Sequence, residues 1–344
     1  MLRNFYQWDV YFHITREGTI WVDGSHITKI TSIEEFTQFV ISLLKSGKRV
    51  VIDEFQRLPY RVIERFSLQH PSGTLILSGS SMKVVNEILG KSSPLLGLIE
   101  EHHLGLIAPE DLVKKLSIPH LLDYIVYIRD PWLIPQFSGK SIYSDLYRVV
   151  VHNPHTITAL IGEIFAEEDR KLTATYEGII KSIGTLQGKT SEIASSLYAR
   201  GLITRDSPSA VSPFIKNLEY MGLVKRIKLY GRKGVIYRML SPVFTVFYYL
   251  RNLYDFDMRI PEFNEILENI KRIHALCYED FVVEVVAELL HGYLRYSFVP
   301  GIDGIIVDKK ERPIAVVEVK KGKISRSEVS KFLDKTEKIG GKKS

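Results

Sequence analysis

The first hundred residues alternate between short apolar runs and amphipathic helical patterns, and this alternation limits the fold more than any other feature of the chain. Residues 48–55, KRVVIDEF, form an apolar run between charges, which is typical of a buried parallel strand. Residues 74–78 form a second such run, and residues 33–44 carry apolar side chains at helical spacing after Ser32. Strands that alternate with helices form parallel sheets covered on both faces, so we predict a parallel-sheet α/β domain over residues 1–107.

The later parts of the chain predict different architectures. Residues 108–170 have mainly helical patterns and are predicted to form a helical lid. Residues 171–250 carry three helical patterns followed by a basic hairpin, which is the layout of a winged helix. Residues 251–275 are polar and are predicted to be a linker, whereas residues 276–344 combine a long helix, two strands and a basic terminal helix. We therefore expect an α/β multidomain protein.

The positive charge is concentrated in two segments, although the whole chain has a formal net charge of only +6. Residues 200–240 contain nine Lys or Arg and two acidic residues. Residues 320–344 contain nine Lys or Arg and three acidic residues. Basic residues clustered on a folded segment favour a polyanion, because binding releases its counterions. We expect a nucleic-acid surface at residues 200–240 and a solvated tail over the last ten residues.

The composition excludes several classes of protein. The single cysteine, Cys277, excludes an intramolecular disulfide and a multi-cysteine zinc site. No apolar stretch reaches the roughly eighteen residues that a membrane span requires, so we expect no membrane partner. The first twelve residues lack the pattern of a signal peptide, and we expect a cytoplasmic protein.

Two carboxylates, Asp53 and Glu54, come directly after the apolar run VVI. Parallel strands place their carboxyl ends at one edge of a sheet, where P-loop NTPases use such an Asp to hold magnesium and such a Glu to orient water. The next apolar run, LILSGSS, ends in small polar residues, and Ser78 and Ser80 are candidate sensors of a γ-phosphate. These residues predict a Walker B-like edge for a nucleotide with Mg²⁺.

The basic hairpin and the helix before it carry the candidate DNA contacts. The third helix of a winged helix lies in the major groove, where Lys216 would contact a phosphate or a base. The hairpin would contact phosphates through side chains that are all cationic. These side chains are Lys225, Arg226, Lys228, Arg232 and Lys233. The alternative is a winged helix that binds protein and has an incidental basic face.

The last unit carries a D…ExK pattern formed by Asp303, Glu318 and Lys320. Side chains alternate along a strand, so Glu318 and Lys320 point to one face. The turn at residues 308–312 would allow a hairpin to bring the two carboxylates together. They would then hold Mg²⁺ or Mn²⁺ with the lysine near the attacking water, which suits phosphodiester hydrolysis. The alternative is an exposed, charged strand face.

Three motifs, VVIDEFQRLP at residues 50–59, LILSGSS at 75–81 and SSPLLG at 92–97, resemble the archaeal ATPase family, a branch of the AAA+/STAND P-loop NTPases. In that family a winged helix follows the ATPase domain, and the C-terminal domain is related to PD-(D/E)XK nucleases. The resemblance covers nearly the whole chain in the same order. It implies that Glu284 is an additional acidic residue of the nuclease-like site, with Glu279 as the alternative, and that the protein assembles into homo-oligomers.

The chain departs from this family at two places. No phosphate-binding loop of the form G-x-x-x-x-G-K-S/T precedes Asp53, and Leu98 stands where the family tends to carry an arginine. Either the α/β domain is a degenerate scaffold, or residues upstream of Met1 carry the loop. The Leu98 departure favours degeneration, because a missing upstream segment does not explain it. Both departures argue against ATP binding and hydrolysis by this chain as written.

Three hypotheses for the function follow. The first is a DNA-processing protein with an ATPase-like module, a winged helix that grips DNA and a metal-dependent nuclease-like domain. The second is a non-catalytic DNA-binding or regulatory protein in which both enzyme modules are relics. The third is an ATP-dependent switch, which requires the upstream loop.

Overall fold

The computed structural model describes residues 7–23, 28–67, 72–80, 98–168, 170–256 and 258–340. The chain forms two compact units: the first contains Met1–His103 with Ile164–Arg170, and the second contains Leu104–Glu163 with Lys171–Ser344. The described strands form two five-stranded sheets, so the expected α/β class is confirmed. None of the described helices is both long and apolar enough to cross a bilayer. The SSPLLG motif at residues 92–97 lies outside the described residues, and so do residues 82–89, for which the sequence predicts a helix.

The first unit is built on a sheet with strand order β3-β2-β1-β4-β5. Its strands are β1 (Val10–Ile14), β2 (Ile20–Asp23), β3 (Thr28–Ile30), β4 (Arg49–Asp53) and β5 (Thr74–Ser78). The sequence predicted a parallel sheet, and β4 does pair in parallel with both β1 and β5. However, β2 pairs antiparallel with β1, and β3 pairs antiparallel with β2. The connection from β1 to β2 is a tight turn closed by the bond from Thr15 N–H to the Thr19 carbonyl, which is too short for a parallel crossover.

Helices α1 (Ile33–Lys45) and α2 (Tyr60–Ser67) belong to the first unit. Ser32 caps α1 by accepting a hydrogen bond from the Glu35 N–H, and the acidic first turn complements the helix dipole. The buried face of α1 packs on β1, with the Phe12 and Phe36 rings edge to face at 5.1 Å. This apolar core holds β4 and therefore fixes the position of Asp53.

The second unit contains most of the helices and the second sheet. Its helices are α3 (Pro109–Lys115), α4 (Leu121–Ile128), α5 (Ile142–Val151), α6 (Pro154–Glu167, of which Ile164 onward belongs to the first unit), α7 (Ala174–Gly184), α8 (Thr190–Ala199), α9 (Pro208–Tyr220), α10 (Pro242–Tyr254), α11 (Phe263–Leu289) and α12 (Arg326–Gly340). Its strands are β6 (Val224–Leu229), β7 (Val235–Met239), β8 (Tyr293–Tyr296), β9 (Gly304–Val307) and β10 (Pro313–Val317).

One sheet joins the predicted winged-helix hairpin to the predicted nuclease-like strands, in the order β10-β9-β8-β6-β7. The hairpin strand β6 pairs in parallel with β8 through Lys228 opposite Arg295 and Leu229 opposite Tyr296. The sequence did not predict β8, because a strand of four residues is too short to show a clear alternation of apolar and polar side chains. The hairpin is therefore part of the same sheet as the D…ExK strands.

Helices α10 and α11 occupy most of residues 251–275, where the sequence predicted a linker. Ile266, Ile270 and Ile273 are all buried at helical spacing and continue to Cys277 on the same face of α11. The charged residues between them lower the mean hydropathy of the segment. The prediction of a linker was based on this low average and overlooked the apolar stripe. The structure has helices over most of the segment instead.

Candidate functional site

The carboxyl edge of the first sheet brings Asp53 beside the residues predicted to act with it. Asp53 lies in register between His13 of β1 and Ser78 of β5. The Tyr11 hydroxyl donates to Asp53 Oδ2 at 2.6 Å, and His13 Nδ1 lies 3.3 Å from the same oxygen. The sequence analysis did not identify Tyr11 and His13, because it predicted β1 as a strand but not its pairing with β4.

Glu54 and Ser80 are engaged with neighbouring side chains at the same edge. Glu54 has a left-handed backbone (φ 60°), and its carboxylate lies 2.8 Å from Arg57. The Gln56 amide donates both to Glu54 and to the Ser80 hydroxyl, at 3.0 and 3.1 Å. Both predicted Walker B-like carboxylates are thus held by groups of their own chain.

The hairpin β9–β10 brings Asp303 and Glu318 to one place, as the turn between them predicted. Gly304 pairs with Val317, and the Asp303 N–H donates to the Val317 carbonyl at 2.8 Å. Asp303 Oδ2 in turn accepts the Val319 N–H at 2.6 Å, which anchors the carboxylate across the hairpin. Glu318 is adjacent to this anchored segment.

Asp303 lies near Glu318 and also near Glu279 of α11, which the sequence named only as the alternative to Glu284. These three residues are called the carboxylate cluster below. Burial and the nearby charges of Asp303 and Asp280 raise the pKa of Glu279 to about 7. Burial, opposed by the Val319 N–H and reinforced by Glu318, raises the pKa of Asp303. Repulsion therefore couples Asp303 to Glu279 and also couples Asp303 to Glu318.

Glu284 lies one turn further along α11 and has different partners. Its carboxylate forms an ion pair with Lys225 of β6, and Arg129, directly after α4, lies 4.0 Å away. Two cations therefore compensate its charge, whereas Glu279 faces other carboxylates. The structure groups Glu279, rather than Glu284, with Asp303 and Glu318.

Two lysines face the cluster, and the sequence named one of them. Lys320 lies 3.0 Å from Glu328 and 3.7 Å from Glu318, and these carboxylates raise its pKa. Lys335 of α12 approaches Glu318 at 3.9 Å. Lys335 is one of many lysines in the basic C-terminal segment, and no sequence signal distinguished it.

Within the described part of the chain, no group of three or more His, Cys, Asp or Glu side chains lies close enough together to hold a metal ion. The chemistry of Glu279, Asp303 and Glu318 still fits Mg²⁺ or Mn²⁺, which prefer carboxylate oxygens. Burial is the main cause of the raised pKa of Glu279, and the charges of Asp303 and Asp280 add a repulsion that a divalent cation would relieve.

Most of the cations predicted to bind DNA contact groups of their own chain. Arg226 lies 3.4 Å from Glu219, and Lys228 lies 3.8 Å from Glu311. The Arg232 guanidinium stacks over Phe298 at 4.4 Å, and Lys225 pairs with Glu284 as described above. Lys216 and Lys233 are exposed and form no ion pair with any described residue.

Comparisons with known proteins provide no functional assignment for this chain. No protein-family model matches the chain, and no curated protein matches it.

Proposed function

We propose that this chain is a DNA-binding protein whose C-terminal part hydrolyses phosphodiester bonds with Mg²⁺ or Mn²⁺. The observation that carries the proposal is the cluster of Glu279, Asp303 and Glu318, in which burial and then the charges of Asp303 and Asp280 raise the pKa of Glu279 to about 7. Clusters with strongly shifted pKa values are more frequent at functional sites than elsewhere. The D…ExK pattern and the hairpin that pairs Gly304 with Val317 support the same interpretation.

The three carboxylates would hold the metal ion, which when bound supplies an activated water and stabilises charge on the phosphate. Asp303 is kept in place by the Val319 N–H, so its carboxylate is positioned before any ligand arrives. The ammonium groups of Lys320 and Lys335 compensate part of the negative charge of Glu318 and would attract the phosphodiester backbone.

The shared sheet supports DNA binding next to this cluster. The Phe298 ring, in the loop that leads to Asp303, contacts the cations of both Lys189 and Arg232. Lys189 precedes α8 and Arg232 is at the tip of the hairpin, so the three-helix segment (α7 to α9) and the hairpin both contact the loop that leads to Asp303. DNA held by Lys216 and Lys233 would thus lie on the same unit as the carboxylates.

The finer architecture also belongs to this proposal. We infer that residues 171–250 are a winged helix and residues 276–344 a PD-(D/E)XK-like domain. We further infer that the first unit is a P-loop NTPase-like scaffold of the archaeal ATPase type. The contacts that occupy Asp53 and Glu54 support a scaffold over an ATPase.

A cleavage assay on linear, single-stranded and branched DNA with Mg²⁺ or Mn²⁺ tests the proposed activity. We expect metal-dependent cutting by the wild type and a loss of at least about a hundredfold in Glu318→Ala and Glu279→Gln, because each variant removes a metal ligand. Glu337→Ala, at an exposed position of α12, is the matched control and keeps full activity. DNA binding by anisotropy should be unchanged in all three variants.

The second candidate function is a non-catalytic DNA-binding protein. The observation in its favour is that Lys320 and Lys335 already act as counter-ions of Glu318. Salt-sensitive DNA binding without cutting under either metal would establish this function and overturn the nuclease proposal. DNA cleavage that persists in both Glu318→Ala and Glu279→Gln would also overturn the nuclease proposal.

A further inference from the structure

A cavity of about 350 Å³ lies between α7, α8 and α10 of the second unit, away from the carboxylate cluster. Its described lining contains two cations, Lys181 and Arg200, and no carboxylate. A neighbouring hollow continues from it past Ser196 to Glu192, whose charge is balanced by Lys189 at 2.8 Å. The cavity is therefore a region of uncompensated positive charge.

The Arg200 guanidinium is held in place by neutral acceptors. Its Nε donates to the Ser196 carbonyl at 3.2 Å, and one terminal nitrogen donates to the Gly178 carbonyl and the Ser196 hydroxyl, at 3.4 and 3.3 Å. The other terminal nitrogen has no partner among the described residues. These bonds orient the guanidinium without neutralising it, and a fixed guanidinium is well suited to bind a phosphate.

Lys181 differs in this respect from the cations of the nearby hairpin. Lys225, Arg226 and Lys228 each lie beside a carboxylate, whereas Lys181 forms no ion pair with any described residue. Its side chain is exposed at the end of α7 and reaches the same cavity as Arg200. Two cations line this cavity, and no carboxylate among its lining residues balances their charge. This arrangement favours binding of an anionic ligand.

The remaining lining groups favour an anion that carries a planar, partly apolar group. The side-chain amides of Gln187 and Asn252 make no hydrogen bond within the described residues, and the Ser196 hydroxyl accepts from Arg200 and keeps its own proton to donate. The half-buried Tyr249 ring adds an aromatic wall. The volume is at the lower end of the range for small-molecule sites, about 300–1,000 Å³.

We propose that this cavity binds a nucleotide through its phosphate, with Lys181 and Arg200 on the phosphate and Tyr249 against the base. Bases stack on aromatic side chains with little sequence preference, and amide side chains bond their edges. The phosphate could belong to a free mononucleotide or to the end of a nucleic-acid strand. The inference does not depend on the nuclease proposal, since no residue of the carboxylate cluster lines the cavity.

Calorimetric titration of the full chain with three probes tests the proposal: inorganic phosphate, 5′-AMP and a short 5′-phosphorylated single-stranded oligonucleotide. We expect Lys181→Gln and Arg200→Gln each to weaken binding of 5′-AMP or the oligonucleotide by about tenfold, because each removes a charge-assisted hydrogen bond. Tyr249→Leu should weaken both nucleotide probes but not inorganic phosphate. Lys114→Gln, at an exposed lysine of α3, is the matched control with unchanged affinity.

The probes identify the source of the phosphate. Binding of 5′-AMP that is lost in the Lys181 and Arg200 variants identifies a free nucleotide, and binding of the oligonucleotide alone identifies a strand end. The Lys181 side chain forms no hydrogen bond or ion pair with any described residue, so the Lys181 variant separates loss of the ligand from unfolding. Absence of binding, equal affinities in all variants, or phosphate binding as tight as that of both nucleotide probes overturns the proposal. Unchanged nucleotide binding in Glu318→Ala would keep it distinct from the nuclease site.

Discussion

At the scale of single residues, His274 is a buried titratable group enclosed by several elements. Tyr127 of α4 lies with its hydroxyl 3.1 Å from Nδ1, and Asp123 of α4 lies 3.4 Å from Nε2. Lys321 pairs with Asp123, and the rings of Tyr143 and Tyr278 pack against the imidazole. Burial lowers the pKa of His274 more than Asp123 raises it, so the neutral imidazole is favoured in the folded protein.

The lowered pKa of His274 predicts a pH-dependent stability. In the unfolded chain the imidazole takes up a proton near its ordinary pKa of 6.5, whereas the folded chain takes it up only at lower pH. The unfolded state therefore binds more protons just below pH 6.5, and stability falls as the pH drops through that value. We expect His274→Gln to lose less stability than the wild type between about pH 7.5 and about pH 5.5.

Urea denaturation of both proteins at the two pH values measures this difference. His155→Gln, at an exposed histidine of α6, is the control and should follow the wild type. A pH dependence that is identical in His274→Gln and the wild type would show that other groups cause it.

At the scale of elements, the turn between α7 and α8 is fixed to strand β7 at Gly188. The Tyr237 N–H donates to the Gly188 carbonyl at 2.8 Å, and Lys189 forms a bridge with Ile236. A Cβ at residue 188 would collide with the Tyr237 carbonyl, which is backbone and cannot move aside. The three-helix segment is thus attached to the hairpin by the close approach of two backbones.

Gly188→Ala is therefore expected to destabilise the protein by about 2 kcal/mol, since backbone must shift to relieve the collision. Gly162→Ala in α6 is the matched control, because a Cβ there meets nothing within 4 Å. That variant should be neutral or more stable by up to about 1 kcal/mol, as alanine favours helix. Thermal and urea unfolding report both values, and equal effects of the two substitutions would contradict the argument.

The sequence predicted elements whose pattern is local and missed those that depend on distant partners. The apolar runs of β4 and β5 are complete signals, and the turn before β10 brought Asp303 and Glu318 together as expected. The pairing of β6 with β8 joins two short segments far apart in the chain through two residue pairs, so no local pattern encodes it. Lys335 reaches Glu318 through the docking of α12, which is likewise not a sequence pattern.

At the scale of the whole molecule, the distribution of compensated and uncompensated cations decides how it would meet DNA. Lys225, Arg226 and Lys228 lie beside carboxylates of the same chain, whereas Lys216 and Lys233 form no ion pair among the described residues. Counterion release requires a cation that gains a phosphate without losing another partner. The basic segment of residues 200–240 therefore contributes fewer phosphate contacts than its charge indicates.

This distribution predicts the salt dependence of DNA binding. Lys216→Gln and Lys233→Gln should each reduce the slope of log K against log salt by about 0.9, the value for one phosphate contact. Lys228→Gln should reduce it less, because Glu311 already lies 3.8 Å from that lysine. Anisotropy titrations with duplex DNA over a series of salt concentrations measure the slopes, and an equal loss in Lys228→Gln would count against the distribution described.

The mixed strand order of the second sheet has a consequence for anyone who divides this protein into fragments. A piece that ends after α10 would keep β6 but lose β8, and the complementary piece would keep β8 without β6. Each would present bare backbone donors and acceptors along a strand, and such edges recruit other chains and promote aggregation. Neither fragment is therefore expected to fold as an independent domain when it is fused to another protein. A fragment boundary has to keep β6 and β8 on the same polypeptide.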